Sequence, residues 1–200
     1  GVQTCALPIS SLSRMLTRRR ISEIAVLQGT TLEQTLLDFL MASDGRAIVS
    51  LEVLSAKNVA DAIQHPFSII SSNGAGYGIE HKETGELVHP RSFGTFPKVL
   101  REYVREEKIL SWEEAIYKMT GKPADVFHLE KRGRLMKGYA ADIVIFDPNT
   151  VTDNATMANP YQYATGIDTV IINGGVTLSQ GTIIPLKRGK ILTPKRGWFA

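Results

Sequence analysis

Asn73 stands at a point in the chain where proteins of the α/β class commonly place a reactive side chain. It follows the apolar run Phe67–Ser72 and precedes Gly74. An apolar run of this length, bounded by chain-breaking residues, is typical of a buried strand, and polar side chains just beyond such strands often carry chemistry. Asparagine has no titratable group, so at this position it can bind but cannot act as a general acid or base.

A second candidate group lies in the segment His89–Pro97. The guanidinium of Arg91 could hold a carboxylate through two parallel hydrogen bonds. Pro90 and Gly94 beside it indicate a loop of fixed shape, and His89 could shape the same pocket. The alternatives are that Arg91 is an ordinary surface arginine and that His89 is structural.

The elements that would position these residues follow a strand, helix, strand order. We predict a strand over residues 47–53, a helix that begins after Ser55 and ends near His65, and a strand over Phe67–Ser72. Strands at this spacing are parallel, with the helix crossing between them. The predicted fold class is therefore α/β, with Asn73 at the end of the second strand.

Helices are predicted on both sides of this unit. Upstream, Thr31 and Gln34 have the spacing of a capping box, and Pro97 downstream suits the first position of a helix running to about residue 107. Ser111 and Glu114 form a second capping box. The apolar face of the first helix is made of leucines: Leu32, Leu36, Leu37 and Leu40.

The character of the sequence changes near Gly133. A strand is predicted over residues 141–147, and strands over 169–172 and 176–179 flank Asn173 and Gly174, a pair typical of a hairpin turn. A short strand is predicted over 190–192. The chain would then divide into an α/β part over residues 10–132 and a small β part over residues 133–200.

The composition excludes several classes of protein. Hydrophobic residues make up 43% of the 200 residues, enough for a sizeable core, and the formal charge of +3 is too small to indicate a nucleic-acid partner. The basic run Arg18–Arg20 is interpreted as a solvated helix start. Neither a membrane-spanning run nor a secretory signal is predicted, so the expected location is cytoplasmic. Residues 1–9, which include the single cysteine, Cys5, resemble the translated read-through of a sequencing adapter and are set aside.

Three motifs together resemble a known family. They are Ser-Asn-Gly at residues 72–74, HPRSFGTFPKVL from His89, and GRLMKGYAADIVIFDPNTV from Gly133, followed by a hairpin with Ile-Asn-Gly. From about residue 12 to 195 the chain is similar to the C-terminal part of the D-aminoacylases, the N-acyl-D-amino-acid deacylases of the amidohydrolase superfamily. The GYAADIVIFD stretch indicates the superfamily, whereas HPRSFGTFP points to the D-aminoacylase branch.

The resemblance implies the C-terminal part of a metal-dependent (β/α)8 barrel together with a portion of a small β-sandwich. Residues 47–53 would be the seventh barrel strand and Phe67–Ser72 the eighth. Zinc is implied for the full-length parent, where earlier barrel strands would supply its ligands. No pair among the four histidines of this chain has the spacing of a zinc site, so no tight zinc binding is expected of the chain alone.

The resemblance also implies a reaction, the hydrolysis of the N-acyl group from a D-amino acid by metal-bound hydroxide. Asn73 would occupy the position of a family aspartate that passes the water's proton to the leaving amine. Arg91 would bind the substrate carboxylate, with His89 in the same pocket. The expected partner is a small-molecule N-acyl amino acid, with neither nucleic acid nor membrane.

Two alternatives accompany this hypothesis. One is a related amidohydrolase that acts on cyclic amides or ureides. The segment around Arg91 favours the deacylase instead, because every N-acyl amino acid offers a free carboxylate. The other alternative is a homologue that binds a ligand without turning it over, and Asn73 is the residue that favours it.

Overall fold

The computed structural model describes residues 19–45, 53–84 and 88–193, together with the backbone of residues 2–6 and 47–51. The fold is α/β, with two units that comprise residues 1–55 with 77–88 and residues 56–76 with 89–200. The division near Gly133 stays a prediction. Arg18 and the side chain of Cys5 lie outside the described residues. Within the ranges given, we find no helix with the length and apolarity to cross a bilayer.

The first unit contains two helices and a two-stranded sheet. Helix α1 (Ile21–Gln28) ends at Gly29, whose φ of 65° gives the left-handed conformation that often terminates helices. Helix α2 (Leu32–Ala42) packs against α1. Strand β1 (Val2–Ala6) pairs antiparallel with β2 (Ala47–Leu51), and a 3-10 helix follows at Ile79–Thr84.

Helix α2 confirms the predicted start but not the predicted face. Thr31 Oγ1 accepts a hydrogen bond from the Gln34 backbone N–H at 3.2 Å, whereas the Gln34 side chain turns to Asp38 at 2.7 Å, so half of the capping box forms. The helix buries Thr35 and Phe39. Three of the predicted leucines are among its exposed residues: Leu32, Leu37 and Leu40. Thr35 can be buried because its hydroxyl donates to the Thr31 carbonyl at 2.8 Å.

The second unit begins with helix α3 (Ala56–Gln64), which follows Ser55 as predicted. Helix α4 (Arg91–Lys98) continues as a π-helical segment, Val99–Glu106. Helices α5 (Trp112–Met119) and α6 (Gly121–Val126) follow, and the predicted capping box at Ser111 and Glu114 is complete. The buried core of the unit centres on the π-helical segment: Val99, Leu100, Tyr103, Val104, Leu110, Ala115 and Val151.

A four-stranded antiparallel sheet completes the second unit, in the order β3 (Ile143–Phe146), β4 (Ile167–Ile172), β5 (Gly175–Ser179), β6 (Thr182–Ile183). The predicted hairpin joins β4 to β5. Its turn residues Asn173 and Gly174 have φ values of 48° and 77°, as the common two-residue hairpin turn requires. The strand predicted over 190–192 is not formed, and β6 lies earlier in the chain.

The strand predicted over Phe67–Ser72 is wrong for this structure, and so is the parallel pairing. Both described sheets are antiparallel, and β2 pairs with β1. A strand requires a neighbour to hydrogen-bond, yet the Ile70 N–H donates to the carbonyl of Lys118 near the end of α5, at 3.2 Å. The apolar run is therefore held in place by a helix.

The helix start predicted at Pro97 is also wrong. Helix α4 begins at Arg91, and Pro97 lies inside it. Proline has no N–H to donate and crowds the preceding turn, so it disturbs a continuous α-helix. The change to π-helical geometry begins two residues later, at Val99.

Candidate functional site

Asn73 lies in the left-handed backbone region, with a φ of 45°. Most side chains are strained there, and asparagine is among the few that tolerate it. Its side chain is exposed. Asparagine at this position is therefore compatible with the left-handed conformation that the backbone adopts before Gly74.

Gly74 lies against the beginning of helix α4. A Cβ atom on Gly74 would be 2.9 Å from the Ser92 Cα atom and 3.3 Å from the Arg91 carbonyl oxygen. The next residue adds a hydrogen bond, from the Ala75 N–H to Ser92 Oγ at 3.3 Å. The loop that carries Asn73 and the helix that carries Arg91 thus meet, which brings two of the predicted site residues into one neighbourhood.

Ser92 was not predicted from the sequence as part of this site. The available signal was the pairing of a glycine with a small hydroxyl residue, since only such residues allow two backbones to approach this closely. Nothing in the linear spacing of residues 74 and 92 shows that they meet.

His89 prepares the start of α4. Its Nδ1 atom accepts a hydrogen bond from the Arg91 backbone N–H at 3.1 Å, which satisfies one of the free N–H groups at the helix start. The pKa of His89 is lowered, chiefly by partial desolvation and further by the positive charges of Arg91 and Lys98. Both effects favour a neutral ring whose Nδ1 is unprotonated, as this hydrogen bond requires.

Arg91 is the first residue of α4, and its side chain is exposed. No carboxylate within the described ranges lies at ion-pair distance from it. The positive end of the helix dipole adds to its own charge. The arrangement can therefore attract and hold an anion, and the planar guanidinium suits a carboxylate.

Two lysines of the second unit hold the segment that leads to Asn73. Lys118 is buried, and its ammonium donates to the His65 carbonyl at 2.5 Å and to Ser68 Oγ at 2.7 Å. Desolvation lowers the pKa of Lys118, helped by the charge of Lys122. Lys122 itself donates to the Pro66 carbonyl. These bonds cap the end of α3 and limit the movement of the segment before residue 70.

The π-helical segment that continues α4 is anchored through charge. Arg101 donates through Nε to Asp153 at 2.7 Å and also pairs with Glu106 and Glu102. The hydrogen bond that Arg101 donates to Asp153 is the main reason that the pKa of Arg101 is raised. Asp153 can lie close to α4 because residue 94 is a glycine, since a Cβ there would be only 3.0 Å from Asp153 Cβ.

Asp142 is held in place by hydrogen bonds to neighbouring parts of the second unit. It accepts hydrogen bonds from the Asn173 backbone N–H at 2.7 Å and from Arg132. These bonds lower its pKa against the opposing effect of burial.

A metal centre does not fit the described residues. Over residues 19–45, 53–84 and 88–193, no three side chains of the His, Cys, Asp or Glu types come together where they could share one ion. A zinc site needs three or four such ligands. We assign no metal chemistry to these side chains.

Comparison with known proteins gives a consistent set of matches. A model described as the Amidohydrolase family matches residues 12–178. N-acyl-D-aspartate deacylase of Alcaligenes xylosoxydans xylosoxydans is 39% identical over 142 residues, which are 71% of this chain and 27% of that protein. D-aminoacylase of the same organism is 42% identical over 58% of this chain and 23% of its own length.

Solved structures of the same kinds of deacylase also match the chain. A crystal structure of a D-aminoacylase superimposes with a TM-score of 0.77 at 30% identity and covers 96% of this chain and 38% of that one. N-acyl-D-glutamate deacylase from Bordetella bronchiseptica, solved with zinc and a phosphonate inhibitor, gives a TM-score of 0.73 at 28% identity, over 90% of this chain and 35% of that one. The chain spans about a quarter of the length of the two Alcaligenes relatives, 27% of the N-acyl-D-aspartate deacylase and 23% of the D-aminoacylase.

Proposed function

The chain belongs to the amidohydrolase family, and we propose that it forms part of an enzyme that hydrolyses the N-acyl group from D-amino acids. Within that enzyme, Arg91 would bind the free carboxylate of the substrate, with His89 beside it. The loop at Asn73 would face the amide that is cleaved. The names of the deacylases that match support this choice of substrate class.

One observation carries the proposal: the close approach of Gly74 to Ser92. It joins the Asn73 loop to the start of α4, so that one ligand could reach both. The exposed guanidinium of Arg91 then supplies the charge that a carboxylate needs, and no described acidic side chain competes for it.

The metal of the complete enzyme would be held elsewhere. D-aminoacylase has a binuclear metal centre and the Bordetella deacylase was solved with zinc, whereas the described part of this chain brings no suitable ligand set together. We therefore attribute to this chain the binding and orientation of substrate. The (β/α)8 barrel and the β-sandwich implied by the family resemblance belong to the same proposal, as does the division of the chain near Gly133.

A second candidate is a protein that binds an N-acyl amino acid without hydrolysing it. Asn73 favours it, because an amide cannot accept the proton that the attacking water gives up and pass it to the leaving amine. An activity on cyclic amides has weaker support, since the dihydroorotase of Lactobacillus johnsonii matches over 37% of this chain and 15% of its own length.

The test uses the complete protein with zinc supplied. N-acetyl-D-amino acids, their L-enantiomers and dihydroorotate are offered separately, and both binding and release of product are measured. Hydrolysis confined to the D-enantiomers supports the deacylase. Binding without turnover supports the second candidate, and hydrolysis of dihydroorotate alone contradicts both.

A further inference from the structure

The chain contains two Asn-Gly pairs, Asn73-Gly74 and Asn173-Gly174. We propose that Asn73 is a site of spontaneous deamidation in the folded protein and that Asn173 is protected from it. Both asparagines have a positive φ of nearly the same size, 45° for Asn73 and 48° for Asn173. The difference between them therefore lies in how their amides and the following N–H groups are held.

The amide of Asn173 is engaged at both ends. Arg132 donates to its Oδ1 atom at 2.6 Å, and its Nδ2 group donates to the Arg188 carbonyl at 2.6 Å. The N–H of Gly174 donates to the Ala141 carbonyl at 2.9 Å. To cyclise, this pair would have to give up several hydrogen bonds in a turn that joins two paired strands.

The amide of Asn73 is exposed, and no side chain or carbonyl within the described ranges bonds to it. The N–H of Gly74 donates to an exposed hydroxyl, Ser72 Oγ, at 3.1 Å. Gly74 has no side chain to shield its nitrogen, and its close contact with Ser92 is made on the Cα side. To cyclise, this pair would give up one hydrogen bond, that of the Gly74 N–H to Ser72 Oγ, whereas the Asn73 amide has none to lose among the described residues.

The chemistry balances with water as the only co-reactant. The Gly74 nitrogen attacks the Asn73 side-chain carbonyl carbon, a C–N bond forms, and the amide nitrogen leaves as ammonia with the proton from Gly74. Water then opens the resulting succinimide. Attack at the side-chain carbonyl gives aspartate, and attack at the main-chain carbonyl gives isoaspartate.

The consequence rests on the proposed function. Conversion to aspartate would place a carboxylate at the position where the sequence carries an amide and where hydrolysis needs a proton acceptor. The chain would acquire its titratable group after synthesis, at a rate determined by the local structure.

The experiment compares the two pairs in one molecule. The folded chain is incubated at neutral and mildly alkaline pH, and peptides holding Asn73 and Asn173 are sampled over time by mass spectrometry. Loss of hydrogen bonds of ordinary strength corresponds to a rate difference of about tenfold or more, so Asn73 should convert faster by at least that factor. In denaturant, where both pairs are unfolded, the two rates should converge.

A variant provides the complementary measurement. Arg132→Ala removes the donor to Asn173 Oδ1 and should speed conversion at Asn173 while leaving the rate at Asn73 unchanged. Equal rates in the folded wild type, or faster conversion at Asn173, would overturn the proposal. These readouts are masses and do not depend on catalysis, so failure of the proposed function would leave them unaltered.

Discussion

Gly74 and Ser92 approach each other so closely that the Cα atom of Ser92 occupies the space of a side chain on Gly74, with a Cβ placed 2.9 Å away. The two residues are 18 positions apart in the sequence. Their contact determines where the Asn73 loop lies relative to Arg91, so it is the first feature to test.

Gly74→Ala should destabilise the chain by roughly 1–3 kcal/mol, because the added methyl group overpacks against backbone atoms. Gly76→Ala is the matched control, since nothing lies within 4 Å of a Cβ there. The control should change the free energy of unfolding by less than about 1 kcal/mol in either direction. Urea denaturation of both variants gives the comparison, and equal effects would show that the contact is not tight.

Arg91→Lys should weaken binding of an N-acyl-D-amino acid to the complete protein by about 1–3 kcal/mol, because lysine cannot form the paired hydrogen bonds. An analogue with an uncharged amide in place of the carboxylate should bind the variant and the wild type alike. Isothermal titration with both ligands makes the measurement. Equal losses for the two ligands would exclude Arg91 as the carboxylate-binding residue.

Asn73→Asp should raise the rate of amide hydrolysis by the complete protein by about 10²–10⁴-fold, the usual contribution of general acid–base catalysis. Asn73→Gly is the control, because glycine also accepts a positive φ but adds no carboxylate. Steady-state kinetics are measured on freshly prepared protein whose Asn73 is intact by mass. A fresh wild type as fast as Asn73→Asp would place the proton acceptor elsewhere.

Asp153→Asn should lower the stability of the chain by roughly 1–3 kcal/mol, since it weakens a charge-assisted bond to Arg101 at a carboxylate that is only 12% exposed. Glu106→Gln removes a second partner of Arg101 whose side chain is 49% exposed. Its effect should stay within about 0–1 kcal/mol and diminish with added salt. Thermal unfolding at low and high salt separates the two, and a larger loss for Glu106→Gln would contradict the assignment.

His89 should titrate below its ordinary pKa of 6.5, because desolvation and the charges of Arg91 and Lys98 oppose protonation. Between the lowered pKa and 6.5 the unfolded chain binds more protons than the folded chain, so stability rises with pH across that window. Above pH 6.5 the contribution of His89 to stability is fully present, and it is lost as the pH falls through the lowered pKa. NMR titration, with His89→Gln to assign the signal, measures the pKa directly. A midpoint at or above 6.5 would contradict the hydrogen bond to Arg91.

The features that the sequence predicts correctly are local. The capping box at Ser111 and the turn at Asn173-Gly174 depend on residues no more than three positions apart, so their spacing is enough. The apolar run Phe67–Ser72 has the pattern of a strand, because strands and other extended segments bury the same kinds of residues. Whether such a run pairs with a strand or lies against a helix depends on Lys118 and Ile70, which are 48 positions apart.

The candidate site also combines features that the sequence predicts with a contact that it does not. Arg91 and His89 are recognisable from their residue types and neighbours, and the structure places them in one helix start. Pro97 misled the prediction of that start, because proline is common at first helical positions yet here follows six helical residues. Gly74 and Ser92 could not have been paired from the sequence, since their small size permits the contact between backbones but does not show which two small residues meet.

The narrow space between Gly74 and Ser92 also separates the two products of deamidation. The aspartyl form keeps the backbone at its original length, so the loop can retain its place against α4. The isoaspartyl form inserts an additional methylene into the main chain next to a contact with no room to spare. We expect that form to lift the loop away from the helix, so that an aged preparation is a mixture of two chains of equal mass and different shape.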